Sequence, residues 1–356
     1  MPLTPLKVMP IWTLCLAMPL LIFMDAEAAS QTQVSVMSYN LENLFDWQHD
    51  EGKNDLTYLP IMQKQNPAHR YVCGQIKRQK WRDQCLNFDW NEQAARQKML
   101  NLAKVVLSVN RGQGPDVLIL QEIENKTILD LFNREYLAKA RYQTSVLLEG
   151  RDRRGIDVAL LSRFPLKSEG KLHYIPFKSI SKEKADDTRP ILEAPLRLPN
   201  GTALHVFGVH FPAPYHPWEL RQESFSFLNK LVTDLPESAI AMAGGDFNVP
   251  ADEEKIQKLF KGTAQTKWDV AFYKGCKDCK GTYYYPPLKQ WSFLDSLLLR
   301  KNTKAGWSFH APSIRVIQNS FQLDATGFPK SFDLKTQAGA SDHLPIYAEI
   351  HGGGRG

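Results

Sequence analysis

"AIAMAGGDFNVPADEE" (239–254) decides how this chain is read. Small apolar residues run up to two glycines, as at the end of a buried strand, and the run stops at Asp246 with Asn248 two places on. Gly, Asp, Asn and Pro are ordinary turn formers, so a plain turn is the first reading. The second is that a rigid strand end carries a carboxylate and a carboxamide into a functional site, as open α/β sheets do at strand ends.

Working outward, the same feature recurs. Asn40 follows the alternating "VSVMSY", Glu122 follows "DVLILQ", and His210 follows "LHVFGV". Asp342 and His343 open "SDHLPIYAEI", and Asp295 lies inside the apolar "WSFLDSLLL". Each has an innocent explanation as a helix cap, turn former or structural polar group. Asp295 is hardest to dismiss, because a carboxylate in an apolar run needs a partner if buried. Together these residues point to one site.

The apolar runs read as strands at 34–45, 114–125, 203–211, 291–299 and 341–350, with others between, and as helices at 91–110, 126–138 and 218–235. Strands in runs, with helices between some of them, fit two packed sheets flanked by helices rather than one doubly wound sheet. Residues 48–90 read as an insertion, and 351–356 ("HGGGRG") as a flexible tail.

The 356 residues are 43% hydrophobic and 23% charged, ordinary globular values. Residues 1–29 read as a secretory leader: Lys7, an apolar run from Ile11 to Met24, and the small-x-small pattern Ala26-Glu27-Ala28. The run is short for a membrane span, and an uncleaved anchor is the alternative. The expectation is an exported protein, periplasmic or secreted, with no stable membrane insertion and no obligate protein partner. Beyond Cys15 four cysteines remain; pairing Cys73 with Cys85 and Cys276 with Cys279 is the simplest disulfide scheme, with zinc at Cys276-x-x-Cys279 the competitor. The formal charge is +6, and removing Lys7, Asp25 and Glu27 with the leader raises it by one. That excess suits a polyanionic partner.

Glu122, Asp342 and the Asn40 amide are hard oxygen donors, which select magnesium, manganese or calcium over zinc. Histidines oriented by carboxylates move protons near neutral pH, and Asn248 is a neutral donor for an oxyanion. A divalent cation with such groups describes phosphate-ester hydrolysis. There is no nucleotide-cradling Gly-rich loop, nucleophile elbow or dinucleotide fingerprint.

"SYNLENLF", "LQEIEN", "RGIDVALLSRFP", "VHFPAP", "GGDFN", "WSFLD" and "SDHLPIYAEI", in this order over residues 34–350, resemble the endonuclease/exonuclease/phosphatase superfamily, which includes deoxyribonuclease I-like and exonuclease III-like enzymes. The resemblance implies an α/β (α+β) four-layer sandwich of two mixed sheets flanked by helices. It implies Asn40, Glu122 and Asp342 at magnesium, and His343 paired with Asp295 as water activator or phosphate contact. Asp246 is the competing base, and Asn248 orients the phosphate. His210 matches a general-acid position, with Asp157 the possible carboxylate behind it. Arg189 matches a phosphate-contacting arginine, an ion pair with Asp186 or Asp187 being its bland reading. The implied activity is that of a metal-dependent nuclease on DNA, with RNA as a further substrate. A sphingomyelinase-type lipid phosphodiesterase and a phosphomonoesterase are the alternatives. The basic and aromatic stretches "RYVCGQIKRQKWRDQC" and "YKGCKDCKGTYYYPPLKQW" offer phosphate neutralisation and base stacking, or else are solvated loops with aromatics in the core.

Overall fold

A computed structural model describes residues 1–2, 33–301, 304 and 306–352. Apart from Met1 and Pro2 the expected leader lies outside the described residues, as do residues 353–356 of the expected tail.

The strands in chain order are β1 (Gln33–Leu44), β2 (Val117–Ile123), β3 (Thr144–Leu147), β4 (Asp157–Ser162), β5 (Lys171–His173), β6 (Ile191–Arg197) and β7 (Ala203–His210). Then come β8 (Ile240–Asp246), β9 (Trp268–Val270), β10 (Tyr283–Tyr285), β11 (Gln290–Ser292), β12 (Asp295–Arg300), β13 (Trp307–Phe309), β14 (Arg315–Val316) and β15 (Ile346–Gly352). One sheet has the order β13-β15-β1-β2-β4-β3, with β14 also on β15; the other has the order β5-β6-β7-β8-β12-β9. Each has one parallel pair at its centre, β1 with β2 and β7 with β8, among antiparallel neighbours. The strands β10 and β11 form a separate hairpin.

Period-two side-chain alternation explains the layers. Val34, Val36, Val117 and Ile119 of the first sheet pack against Val206, Met242 and Leu297 of the second. Four helices matter here. The pair α1 (Pro67–Gly74) and α2 (Gln79–Asn87) lies in the expected insertion, α3 (Glu92–Val106) covers the first sheet, and α4 (Trp218–Asp234) covers the second. Met37 and Tyr39 meet Met99 and Leu102 of α3; Phe207 and Ala243 meet Phe225 and Leu228 of α4. The result is the expected four-layer sandwich, helix on sheet on sheet on helix. Asn91 caps α3, its Oδ1 accepting from Ala94 N at 3.0 Å.

Both local disulfides are present, with Cα–Cα separations of 5.6 Å for Cys73–Cys85 and 5.2 Å for Cys276–Cys279, ordinary spans for such bonds. Three expectations change. The stretch 291–299 is not one strand: the chain leaves the hairpin after Ser292 and joins the second sheet at Asp295. "SDHLP" precedes the last strand rather than opening it, and that strand runs on through His351 and Gly352, so these two belong to the sheet and not to a flexible tail.

On the outer face of the second sheet Glu193 is held between His173 Nε2 and His205 Nδ1, each at 2.7 Å. Burial pushes the Glu193 pKa up, but the two histidine hydrogen bonds and their charges outweigh it and bring it down from 4.5 to about 2. A carboxyl whose folded pKa is depressed contributes stability above its unfolded pKa and loses it as pH falls. Glu193→Gln is therefore expected to lower the melting temperature at pH 6. The gap to the parent should close as pH falls from 4.5 toward about 2, which thermal melts across that range check.

Candidate active site

The second sheet places three of the expected residues in a row. His210 ends β7, Asp246 ends β8 and Asp295 begins β12, and Asp246 is the register partner of both neighbours. The two glycines before Asp246 let the sheets and strands close up at this end. A Cβ on Gly244 would lie 2.6 Å from Ile119 Cδ1, and one on Gly245, whose φ is +154°, would lie 1.9 Å from Val209 O. From the facing sheet, Asn40 donates from Nδ2 to Asp246 Oδ2 at 3.1 Å, and its Oδ1 accepts from Glu42 N at 2.9 Å. Asn248 sits at φ +54°, a left-handed conformation that suits Asn better than most residues. Its backbone N donates to Asp246 Oδ1 at 2.8 Å and its Nδ2 to Phe211 O at 3.0 Å.

His343 arrives from the loop before β15. Its Nδ1 lies 2.7 Å from Asp295 Oδ2, and its backbone N donates to Ser341 Oγ, which in turn donates to Asn40 O at 2.8 Å. Asp295 is fully buried. Burial alone would lower the His343 pKa, but the charge and hydrogen bond of Asp295, with Asp342 and Asp246 behind it, raise it well above the ordinary histidine value. Asp246 is pushed up to about 8, first by burial and then by the Asp295 charge. His210 goes the other way: burial, then the cations of Arg189 and Arg154, hold it well below the ordinary value. The site therefore pairs an imidazolium at His343 with a neutral imidazole at His210, and sets between them a carboxyl able to accept a proton near neutral pH.

His210 Nε2 faces Asp246 Oδ2 at 3.7 Å and Glu122 Oε1 at 3.8 Å. Asp157 does not orient it. That carboxyl is turned to Gly150 N, accepting at 2.9 Å, while His210 Nδ1 is buried without a partner. Arg189 does not form the ion pair with Asp186 or Asp187 that its bland reading expects. It binds Asp152 Oδ2 at 2.7 Å and the carbonyls of His210 and Phe211 at 3.3 Å, so it braces the end of β7. Asp186 and Asp187 are occupied elsewhere, by Arg151 Nη1 and Arg153 N.

Two residues that sequence reasoning missed join the site. Glu42 is two places beyond Asn40, and its Oε2 accepts from Asp342 N at 3.0 Å. Burial and the Asp342 charge push its pKa to about 8. Arg154 has Nη2 at 3.8 Å from Glu122 Oε2, offering a cation at the mouth. Both lie inside stretches already quoted, "SYNLENLF" and "RGIDVALLSRFP".

The donor set fits a hard divalent cation. Glu42, Glu122 and Asp342 with the Asn40 carboxamide are oxygen ligands. Burial raises Glu42 and Asp342; the Asp342 charge raises Glu42 further, and the Glu122 charge raises Asp342, which is the repulsion a cation relieves. Among the described residues, the compact potential ligand groups include Asp246, Asp295 and His343 but not Glu122 or Asp342. A wider oxygen set suits an ion that keeps several waters, as magnesium does. His343 is not a ligand candidate while protonated.

Fold and site together define a phosphoric ester hydrolase. The sequence pattern of the Endonuclease/Exonuclease/phosphatase family matches residues 84–352, and the chain belongs to that family. No curated protein matches it in sequence. A humanized D. rerio TDP2 bearing 14 mutations has the same fold (TM-score 0.56, 15% identity, 90% of this chain and 99% of that one). So do D. rerio TDP2 complexed with a single-strand DNA product (TM-score 0.53, 16% identity, 90% and 99%) and an endonuclease/exonuclease/phosphatase family protein from Bacteroides thetaiotaomicron (TM-score 0.55, 17% identity, 90% and 97%). Family members depend on a divalent metal, in keeping with the donor set. Among the described residues no helix is long and apolar enough to cross a membrane.

Proposed function

We propose that this protein is an exported, magnesium-dependent nuclease that hydrolyses phosphodiesters in DNA, with RNA presenting the same scissile group. The observation that carries the reading is His343, held as a cation by a buried Asp295 beside a proton-accepting Asp246. Asn40, Glu42, Glu122 and Asp342 would hold the metal, which supplies charge neutralisation and a water of lowered pKa. The protein's own part follows from the geometry. His343 faces the scissile phosphate as an imidazolium, Asp246 takes the proton of the attacking water, and Asn248 and the Nε2 of neutral His210 steady the phosphoryl oxygens.

Nucleic acid is supported by three features: the net charge of +6, the fold's use by a DNA-complexed relative, and a cleft of about 560 Å³ lined by Arg153, Arg154, Lys184, Arg189 and Tyr215. Arg154 joins this cleft to Glu122, and Tyr215 is 84% exposed, a platform on which a base can stack. The lipid reading rests on the β10–β11 hairpin, where Tyr285 and Leu288 are exposed. In contrast Tyr284 stacks on Phe328 with ring centroids 3.6 Å apart and serves packing. Export rests on the leader pattern and the two disulfides.

Purified protein assayed with magnesium on supercoiled DNA, RNA, sphingomyelin vesicles and a phosphomonoester tests the proposal. Nicking of DNA is expected; turnover of sphingomyelin alone overturns it. Glu122→Gln is expected to raise the magnesium needed for half-maximal rate by about tenfold or more, since one charged hard ligand is lost. A magnesium titration of both proteins checks this, and an unchanged midpoint with normal turnover removes Glu122 from the metal.

A further inference from the structure

We infer that His310, Glu349 and His351 form a binding site for one transition-metal ion of the zinc class, at the end of the first sheet away from the active site. Glu349 and His351 are two places apart on β15 and so share a face. That face is the outer one, because Ile346, Ala348 and Ile350 point inward between the sheets. His310 follows β13, and its backbone N donates to Glu349 O at 2.8 Å, which sets it beside the pair. Since Gln33 is the register partner of His351, the cluster sits where β1 begins, and Asn40 carries the active site at the other end of that strand.

The ligand atoms are nearly in place. His310 Nδ1 and His351 Nε2 each lie 3.6 Å from Glu349 Oε2, and the three atoms fall within 4.8 Å of one another. Tetrahedral zinc, with bonds of about 2.0–2.1 Å to nitrogen, holds neighbouring ligand atoms about 3.3 Å apart. Each histidine nitrogen therefore needs only a few tenths of an ångström of closure toward Glu349 to reach the spacing of a coordination shell. The observed distances are too long for hydrogen bonds, and His351 Nε2 is buried with no such partner. The imidazole rings lie side by side with centroids 4.6 Å apart and planes 22° apart. The carboxylate is oriented from behind, its Oε1 accepting from the Tyr347 hydroxyl at 2.9 Å. Two nitrogens and one carboxylate leave a fourth position for water, and nitrogen donors select zinc or copper over magnesium. A bound ion would pin the end of β15 to the segment after β13.

The test uses the untagged full chain, zinc as the probe and saturating magnesium throughout. Zinc binding and melting temperature are measured for the parent, for the double variant His310→Ala with His351→Ala, and for Glu349→Gln, whose amide keeps the shape and the Tyr347 contact. The parent is expected to bind one zinc more than the double variant and to gain several degrees in melting temperature that the double variant does not. Glu349→Gln is expected to weaken that zinc by at least about tenfold. Hydrolysis with magnesium is expected to be equal in all three. Equal zinc stoichiometry and equal thermal shifts overturn the inference and leave His310 and His351 as simple partners of Glu349.

Discussion

Replacing His343 with alanine is expected to lower turnover by about 10²–10⁴-fold, the range for a positioned proton-handling group. Asp295→Asn is expected to lose a substantial part of that, and the double variant little more than His343→Ala alone. The reason is geometric. Asp295 Oδ2 lies 2.7 Å from His343 Nδ1, and with the neighbouring acids it keeps the ring protonated against a burial that opposes charge. Without the Asp295 charge His343 loses its cation, and without His343 Asp295 has nothing to orient. Groups that act as one unit lose their effect together, so the penalties do not add. A purely structural Asp295 forecasts otherwise: a lower melting temperature and a nearly intact rate per folded molecule. Turnover and melting temperature on the three variants separate the two, and additive rate penalties in folded variants overturn the pairing.

The strands and the site were legible in the sequence to the extent that they are local. Apolar runs ending in Asn40, Glu122, His210 and Asp246 mark strands whose ends meet, because each run shows both the strand and where it stops being apolar. The cysteine pairs were legible for the same reason, since each is closed within a short loop. What failed depends on distant contacts. Arg189 stands beside Asp186 and Asp187 in the chain, yet its partner is Asp152, 37 positions away. Asp157 lies in the correct strand, but its carboxyl turns to Gly150 N rather than to His210. The break inside "WSFLDSLLL" is invisible to periodicity because Phe293 is as apolar as a strand residue; only its stacking on Phe272, with centroids 4.5 Å apart, shows that it has left the sheet. Glu42 went unnoticed because it sits at φ +52°, past the regular part of β1, where alternation no longer says which way a side chain faces.

Asp246→Asn is expected to lose about 10²–10⁴-fold in turnover as well, but with the opposite companion effect on stability. The carboxyl is nearly fully buried, and its pKa is pushed from 3.8 to about 8 by burial and by Asp295. A carboxyl whose folded pKa is raised opposes folding once it must ionise. The cost begins as pH passes the unfolded value near 3.8, grows with pH, and is complete above about 8. Asparagine carries no such cost, although one of the two hydrogen bonds from Asn40 Nδ2 and Asn248 N must be given up. The variant is therefore expected to melt higher relative to the parent as pH rises from 4 to 8, while remaining nearly inactive. In the parent, the rate should climb with pH as Asp246 ionises, and a bound divalent cation moves that limb to lower pH by favouring the anion. The limb should vanish in Asp246→Asn. Rate–pH profiles and melts on parent and variant check both halves. A rising limb that survives the substitution would show that another group takes the proton from water, and would return Asp246 to the part its hydrogen bonds alone describe, a brace between Asn40 and Asn248.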